Sequence, residues 1–319
     1  MPTTHTALAL TALLTSAAIA QPSAQPATQP DTRNQPDPQS PPAEITETRK
    51  APSHSVTIGG SYADTADFDS DAGDLQIARL RAAVDVTFDL GPRRSLTLGL
   101  GSERSWYDFT GATTLDASGD PFGNVSDTEL FLRYLAPIND TTSYFAIASV
   151  GIAAEDGADI SDSFVYAGGL GFSTKASDTF TWGIGVLVRT QLEDDALVIP
   201  IPQIRWAISD RWTLESQRAG LRLGYAHSDS LTYGLQGEFA SRSFRLKDDG
   251  PIPDGMATDR RVPLSFFAEY KPSDSITIGA NVGASVYSNI ELIDSAGNDI
   301  ADDDLDASVF FGLNARIAF

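Results

Sequence analysis

Residues 78–90, with the sequence ARLRAAVDVTFDL, alternate between two kinds of side chain. The even-numbered positions are all apolar, whereas the odd-numbered positions include Arg79, Arg81 and Asp85. Because successive side chains of a β-strand point to opposite faces, this segment has one apolar face and one polar face. It is also long enough to cross a bilayer as a tilted strand. The stretch therefore predicts a membrane-spanning β-strand.

The same period-two pattern recurs along most of the chain. It is clearest in residues 180–188, 262–270, 276–286 and 305–319. We therefore predict an all-β fold, a transmembrane antiparallel up-and-down β-barrel of about 14 strands. The expected strands are 55–62, 75–90, 95–108, 128–137, 141–153, 163–175, 180–190, 197–208, 211–217, 220–227, 231–246, 261–271, 275–290 and 305–319. The pair 211–227 is short, so a barrel of 12 strands is the alternative.

The predicted connections alternate between short turns and long loops. The short ones lie at 91–94, 138–140, 177–178, 209–210, 228–229 and 272–274, and they are rich in Gly, Asn, Asp and Ser. The long ones are 63–74, 110–127, 154–162, 191–195, 247–259 and 291–304. Short periplasmic turns and long outer loops are typical of outer-membrane barrels. A soluble secreted β-sandwich gives no reason for this alternation and is the less favoured interpretation.

The N-terminus has the pattern of an export signal. Residues 7–19 are apolar but too short to span a membrane as a helix, and 18–20 is a small-x-small cleavage site. We predict a signal peptide at 1–20, a disordered Pro- and Gln-rich periplasmic tether at 21–52 and the barrel at 53–319. Export through the general secretory pathway and residence in the outer membrane, in contact with its lipid, follow from this organisation.

Charge is unevenly distributed along the chain. The net charge is −21, and the six predicted long loops hold 25 of the 43 acidic residues. This balance argues against nucleic-acid binding. It predicts an acidic extracellular mouth, which concentrates cations at a channel entrance. The predicted lumen has mixed charge, and charged rings set selectivity in pores. The lumen-facing candidates are Arg79, Arg81, Asp85, Glu129, Arg133, Arg189, Arg205, Glu238, Arg242, Arg261, Glu269 and Arg316.

Two acidic segments are weak candidates for Ca²⁺ binding. Residues 67–74 contain Asp67, Asp69 and Asp71 at alternate positions, and 299–304 contains Asp302 and Asp304. The first segment lacks the glycine and the bidentate glutamate of a calcium loop at their usual places. The sequence therefore predicts no cofactor, although adventitious Ca²⁺ binding fits these carboxylates.

An enzyme is not expected. The predicted mature chain has no Cys, and its histidines are His54 and His227. His227 precedes a predicted periplasmic turn, and adjacent serines on a turn seldom converge on a general base. Aromatic residues near the predicted strand ends, including Trp106, Tyr107 and Trp182, fit belts at the lipid headgroups.

The last strand ends in the alternating residues Phe311, Leu313, Ala315, Ile317 and Phe319. This pattern resembles the C-terminal signal that the barrel-assembly machinery recognises, which implies that Phe311, Leu313, Ile317 and Phe319 act in insertion. Residues 197–206, LVIPIPQIRW, followed by SDRW at 209–212, resemble a motif of a functionally uncharacterised outer-membrane barrel family. That resemblance implies no known activity.

Two functions are consistent with these features. The first is a porin-like passive channel with an acidic mouth and a mixed-charge lumen. The second is a structural or adhesive barrel with a closed lumen and acidic loops. The sequence leaves the lumen radius, the substrate and the oligomeric state open.

Overall fold

The computed structural model describes residues 51–70, 73–192, 196–217 and 219–319. The strands are β1 (Ser53–Asp67), β2 (Asp74–Gly91), β3 (Arg94–Thr110), β4 (Val125–Pro137), β5 (Thr142–Glu155), β6 (Phe164–Lys175), β7 (Phe180–Arg189), β8 (Leu197–Ala207), β9 (Trp212–Gln217), β10 (Gly220–Ala226), β11 (Leu231–Glu238), β12 (Ala240–Arg245), β13 (Met256–Ser273), β14 (Ile276–Ile293), β15 (Asp299–Leu305) and β16 (Ser308–Ala318). The predicted signal peptide and nearly all of the predicted tether lie outside the described residues.

The strands close into an antiparallel up-and-down barrel. Each strand from β1 to β10 pairs with the next along the chain, β11 pairs with β13, and β14, β16 and β1 complete the ring. Closure is made by β1 and β16, with Ser55 opposite Ala318 and Ala63 opposite Phe310. The backbone N–H groups of His54 and Phe319 also donate to each other's carbonyl oxygens. The two ends of the barrel's chain thus meet in one antiparallel ladder.

The barrel wall has 14 strands, which confirms the larger predicted count. β11 and β12 form one strand interrupted at Phe239, because both pair with successive parts of β13. β15 and β16 similarly share β14 as their neighbour. The 12-strand alternative is wrong, since β9 and β10 form a paired hairpin within the wall.

Alternation along the strands produces an apolar outer face. Leu80 and Val84 on β2 are exposed, as are Leu130 on β4 and Leu170 on β6. In a chain whose strands cross a membrane, this belt faces lipid. No helix in the described part of the chain is long and apolar enough to cross a membrane.

The two ends of the barrel differ. One end, here called the turn end, carries both termini of the barrel and the tight connections. The other, the loop end, carries the longer connections and the short one between Gln217 of β9 and Gly220 of β10. Here several strands extend beyond their predicted limits: β13 begins at Met256, and β14 reaches Ile293 before a hairpin into β15. The sequence pattern underestimates these strands because both of their faces are buried at the loop end, which removes the alternation.

Wall height is uneven around the barrel. Strands β9 and β10 contain 6 and 7 residues. Strands β2, β13 and β14 contain 18 residues each. The wall is therefore low at β9 and β10, and tall at β13, β14 and β2.

Candidate functional site: the barrel lumen

Glycines and aromatic rings shape the lumen near the turn end. A Cβ added at Gly99 would overlap the ring of Phe131 on the adjacent strand. Gly171 and Gly185 make the same kind of space for the ring of Phe145, which is almost fully buried. These inward-facing glycines exist because large side chains of neighbouring strands lie over them.

A layer of paired charges crosses the lumen. Arg79 Nη2 on β2 donates to Asp259 Oδ2 on β13 across 2.5 Å. Arg261 Nε donates to the other oxygen of Asp259 at 2.7 Å. Arg242 Nε on β12 donates to Glu103 Oε1 on β3 at 2.7 Å. These five side chains, here called the charged layer, connect β2 and β3 to β12 and β13 through the interior.

The charged layer is tied together at its centre. Glu103 Oε1 also lies 3.9 Å from Arg79 Nε, so Arg79 faces both acids. The hydroxyl of Tyr107 donates to Asp259 Oδ2 at 3.0 Å, and the Asp259 side chain is fully buried. Buried charges require partners of this kind because an isolated charge is costly to desolvate. The arrangement holds two walls of the barrel in fixed relation.

A second polar group lies on the inner face of β4–β7. Asp127, Glu129 and Arg189 line one recess, together with small and apolar side chains from β5, β6 and β7. Arg189 is 6 % exposed, and its Nη1 atom has no hydrogen-bond partner among the described protein atoms. The recess therefore presents a buried donor beside two carboxylates.

A third group lies nearer the turn end. Arg222 on β10 forms an ion pair with Glu269 on β13, with Nη2 and Oε2 2.7 Å apart. The guanidinium of Arg222 also lies over the ring of Phe267, 3.7 Å from the ring centroid. A cation over an aromatic face is attracted by the ring quadrupole. This pair fixes a positive charge on the inner face of the low wall.

Apolar side chains fill the loop end of the lumen. Tyr107, Phe109, Phe122 and Phe244 pack with ring centroids between 4.8 and 6.4 Å apart. The complete cluster, here called the apolar plug, is Ala63, Ala66, Phe68, Leu75, Ile77, Tyr107, Phe109, Ala112, Leu115, Phe122, Val125, Ala153, Phe244, Leu246, Ile252, Ala257, Ile290, Leu292 and Leu305. It covers the charged layer from the loop end.

At the loop end, the paired strands β12 and β13 bend inward across the barrel, so that the end of β12 reaches β5. Arg245 pairs in parallel with Ala154 of β5, although β5 and β12 are far apart around the ring. The Arg245 guanidinium donates to the carbonyl oxygens of Asp162 and Asp254. Glu155 accepts from the backbone N–H groups of Gly123 and Lys247. The crossing is thus fixed by backbone and side-chain hydrogen bonds.

The predicted lumen residues lie at three levels of the inner face. Arg79, Arg242 and Arg261 belong to the charged layer, and Glu129 and Arg189 to the recess. Asp85 accepts from Ser55 Oγ at 3.3 Å, and Arg316 donates to the same hydroxyl. Glu269 pairs with Arg222. The remaining candidates lie on inward positions of their strands and also make contacts: Arg81, Arg133, Arg205 and Glu238.

Several members of these groups are not predicted from the sequence. Its pattern places Asp127 and Asp259 in long acidic loops, but they lie on β4 and β13. Tyr107 was assigned to an interfacial belt, but it is buried in the plug. Strand alternation could have identified two of them. Glu103 and Tyr107 occupy odd-numbered positions of β3, as do Gly99 and Gly101, and these positions face inward.

The two acidic segments considered for Ca²⁺ lie side by side. The backbone N–H of Asp69 donates to the carbonyl oxygen of Asp304, and that of Asp306 to Asp67. Asn289 Nδ2 donates to the carboxylates of Asp302 and Asp304. Asp71 lies outside the described residues. Within the described ranges, no group of three or more His, Asp or Glu side chains is arranged to hold a metal ion.

The residues of the predicted insertion signal all lie on the outer face of β16 or just beyond its end. Phe311, Leu313, Ile317 and Phe319 are each about half or more exposed. The ring of Phe319 stacks on His54 of β1, with centroids 5.9 Å apart. The other predicted mature histidine, His227, lies beside Tyr233 at the turn end.

Solved structures with a similar barrel fold include three transport proteins. An outer membrane channel from Pseudomonas putida F1 has 11% identity and a TM-score of 0.45, covering 86% of this chain and 98% of its own. The P. putida toluene transporter TodX has 8% identity and a TM-score of 0.40, covering 83% and 90%. The KdgM porin has 13% identity and a TM-score of 0.35, covering 82% and 99%. No curated protein matches the sequence.

A family model matches residues 121–318, which run from the loop before β4 to the end of β16 and include all the residues of the recess and the motif at 197–212. The chain belongs to the family described as Domain of unknown function (DUF6268).

Proposed function

We propose that this chain is a passive outer-membrane channel for small solutes, with its turn end in the periplasm and its loop end outside. Export through the general secretory pathway and insertion by the barrel-assembly machinery are part of this proposal. Side chains fill the interior of barrels of about eight strands, and the diameter grows with strand number, so a barrel of 14 strands encloses additional space. The polar inner face gives that space an affinity for water.

Three buried guanidinium atoms carry the proposal. Arg79 Nε, Arg189 Nη1 and Arg261 Nη2 have no hydrogen-bond partner among the described protein atoms. Buried donors are nearly always satisfied, and water or a polar solute can supply the missing acceptors. A hydrated lumen around the charged layer is the simplest arrangement that meets this requirement.

The charged layer is the proposed selectivity element. It contains three arginines and two acids, and the adjoining recess adds Asp127, Glu129 and Arg189. Because the charges nearly balance, we expect weak selectivity from the lumen, with the acidic loops favouring cations at the outer mouth. Removing one acid from the layer should shift the balance toward anions.

The apolar plug favours a second candidate function, a structural barrel with a closed lumen. A cluster centred on four aromatic rings at the loop end opposes free axial flow of ions. The two candidates differ in what happens when the plug is loosened. A channel with a gate should conduct more when the plug is weakened, whereas a closed structural barrel should simply become less stable.

Planar-bilayer recording of the purified full chain separates these functions. We expect discrete conductance steps from the wild type and larger or more frequent openings from Phe244→Ala, which removes a ring from the plug. The matched control is Phe266→Ala, since Phe266 faces lipid on β13. Bilayers that stay sealed at high loading with both the wild type and Phe244→Ala would refute the channel and support the structural barrel.

A further inference from the structure

The wall of the barrel has a break between β8 and β9. In the described part of the chain, the ladder between these strands covers only Arg205–Ala207 and Thr213–Glu215. On its other side, β8 pairs with β7 along nearly its whole length, from Leu197 to Trp206. Among the described strands, the half of β8 nearer the loop end therefore has one neighbour instead of two.

The low wall beyond this break is too short to span a bilayer. A transmembrane β-strand needs about 9–11 residues, whereas β9 and β10 have 6 and 7. At about 3.3 Å per residue and a tilt of about 40°, six residues rise roughly 15 Å against an apolar band of about 25 Å. The break thus lies at the depth of the membrane.

Two prolines suit the unpaired edge of β8. Backbone N–H groups alternate in direction along a strand. The N–H of Ile208 donates to Trp212 and that of Ile204 to Ser216 Oγ, both on the β9 side. Pro200 and Pro202 share this parity, so these two positions present no N–H to the break, where it would otherwise lie unsatisfied in lipid. Missing donors also disfavour pairing with a strand from another chain.

The side chains on both faces of the break are apolar. On the outer face, Val198, Leu221 and Leu235 are 50–62 % exposed. On the inner face, Leu187, Ile199 and Ile201 form a separate apolar cluster with Ala167 and Leu197. Leu187 and Ala167 also line the recess that contains Arg189. Apolar side chains, exposed on the outer face and buried on the inner face, are therefore continuous from the membrane past β8 to the recess.

From this geometry we infer that the break between β8 and β9 is a lateral portal, through which small apolar molecules pass between the membrane and the lumen. The inference rests on the proposed channel function in that the lumen must accept solutes. It adds a second route, which bypasses the apolar plug because the portal opens below the loop end. Ions take the axial route, and apolar solutes take the lateral one.

A membrane-dissolved photoprobe tests the portal without using conductance. The full chain is reconstituted in phosphatidylcholine vesicles with 3-(trifluoromethyl)-3-(3-iodophenyl)diazirine, and labelled residues are mapped by mass spectrometry. We expect labelling of the inward residues Ile199 and Ile201, and at least tenfold less labelling of Phe131, which is inward on the fully paired strand β4. Lipid-facing Leu130 provides the reference signal.

A variant with a raised wall gives the decisive comparison. The β9–β10 hairpin is lengthened by four alternating Val and Thr residues, two on each strand, and Pro200→Thr and Pro202→Thr restore the edge donors. Labelling of Ile199 and Ile201 should fall about tenfold while that of Leu130 stays constant. Equal labelling of the inward residues in both proteins, or none in the wild type, overturns the portal.

A second variant covers the case in which the raised-wall variant does not fold. Since the chain has no cysteine, Pro202→Cys can be modified with a bulky apolar maleimide in the folded barrel, with Leu132→Cys as the control on the intact wall. Modification of Pro202→Cys should suppress labelling of Ile201, whereas modification of the control Leu132→Cys should not. Equal labelling of Ile201 in the two modified variants would contradict the portal. Ion conductance without labelling of the inward residues would support the proposed channel and refute the portal. Labelling of the inward residues without ion conductance would support the portal and refute the ion channel.

Discussion

Arg79 on β2 and Asp259 on β13 form an ion pair across the lumen, with Nη2 and Oδ2 2.5 Å apart. Three strands, β1, β16 and β14, separate their positions around the ring. Neither residue can reach the other along the wall, so the contact crosses the interior. It divides the lumen into a polar part toward the turn end and an apolar plug toward the loop end.

Removing the acid of this pair should destabilise the barrel. Asp259→Asn leaves the guanidinium groups of Arg79 and Arg261 without their carboxylate, and breaking a buried ion pair in this way costs about 3–5 kcal/mol. The midpoint of urea unfolding, followed by heat-modifiable migration on SDS gels, should fall accordingly. Asp178→Asn is the control, because its ion pair with Lys175 is exposed and exposed pairs contribute about 0–1 kcal/mol. Equal shifts for the two variants would contradict the structural role of the charged layer.

Alanine at two inward glycines of β3 should affect stability differently. Gly99→Ala places a methyl group into the Phe131 ring, whereas at Gly101 the nearest atoms are 3.9 Å from the added carbon. Overpacking costs about 1–3 kcal/mol, so Gly99→Ala should lower the melting temperature and Gly101→Ala should not. Phe131→Leu should partly restore Gly99→Ala, since the two changes share one contact. A melting temperature for Gly99→Ala equal to the wild type would show that the ring can move aside.

The predicted insertion signal can be tested at the last residue. Phe319→Ser should lower the fraction of chain recovered as folded barrel in the outer membrane, while refolding of purified protein in detergent changes little. Phe266→Ser is the control, because it removes a ring of the same type from the lipid face of β13. If Phe266→Ser reduces assembly in cells as strongly as Phe319→Ser, the effect reflects loss of lipid-facing surface and not recognition of the terminus.

The carboxylate of Asp156, in a loop, should make the stability of the barrel depend on pH in the acidic range. The hydrogen bond from Arg104 lowers the pKa of Asp156, which follows directly after β5. Because the folded pKa lies below the unfolded value, this group stabilises the fold above the unfolded pKa, and the contribution is lost as pH falls through the folded pKa. Arg104→Gln should therefore flatten the melting temperature between about pH 5 and pH 2, a window set by an ordinary Asp pKa of about 3.9. Lys271→Gln at the turn end should leave the profile unchanged, and a flattening of equal size there would refute the assignment.

Much of the lumen was predictable from parity alone. Arg79, Arg189 and Arg261 were identified as inward residues because they alternate with apolar neighbours. Asp127 and Asp259 were not, because the strand ends that carry them lie against the plug and have no lipid-facing alternation. The ion-pair partner of each inward residue could not be predicted either, because the pattern along one strand does not show which strand faces it across the barrel.

The sequence alone determined that the chain forms a barrel. Period-two alternation, turn residues and an aromatic terminus are each properties of residues close together in the sequence, so a single sequence is enough to recognise them. The fold decided what fills the barrel. β12 bends inward with β13 and reaches Ala154 of β5, the apolar plug joins distant strands, and β8 loses its neighbour where β9 stops. These features arise from contacts between residues far apart in sequence, and their free energy is set by closure of the whole ring.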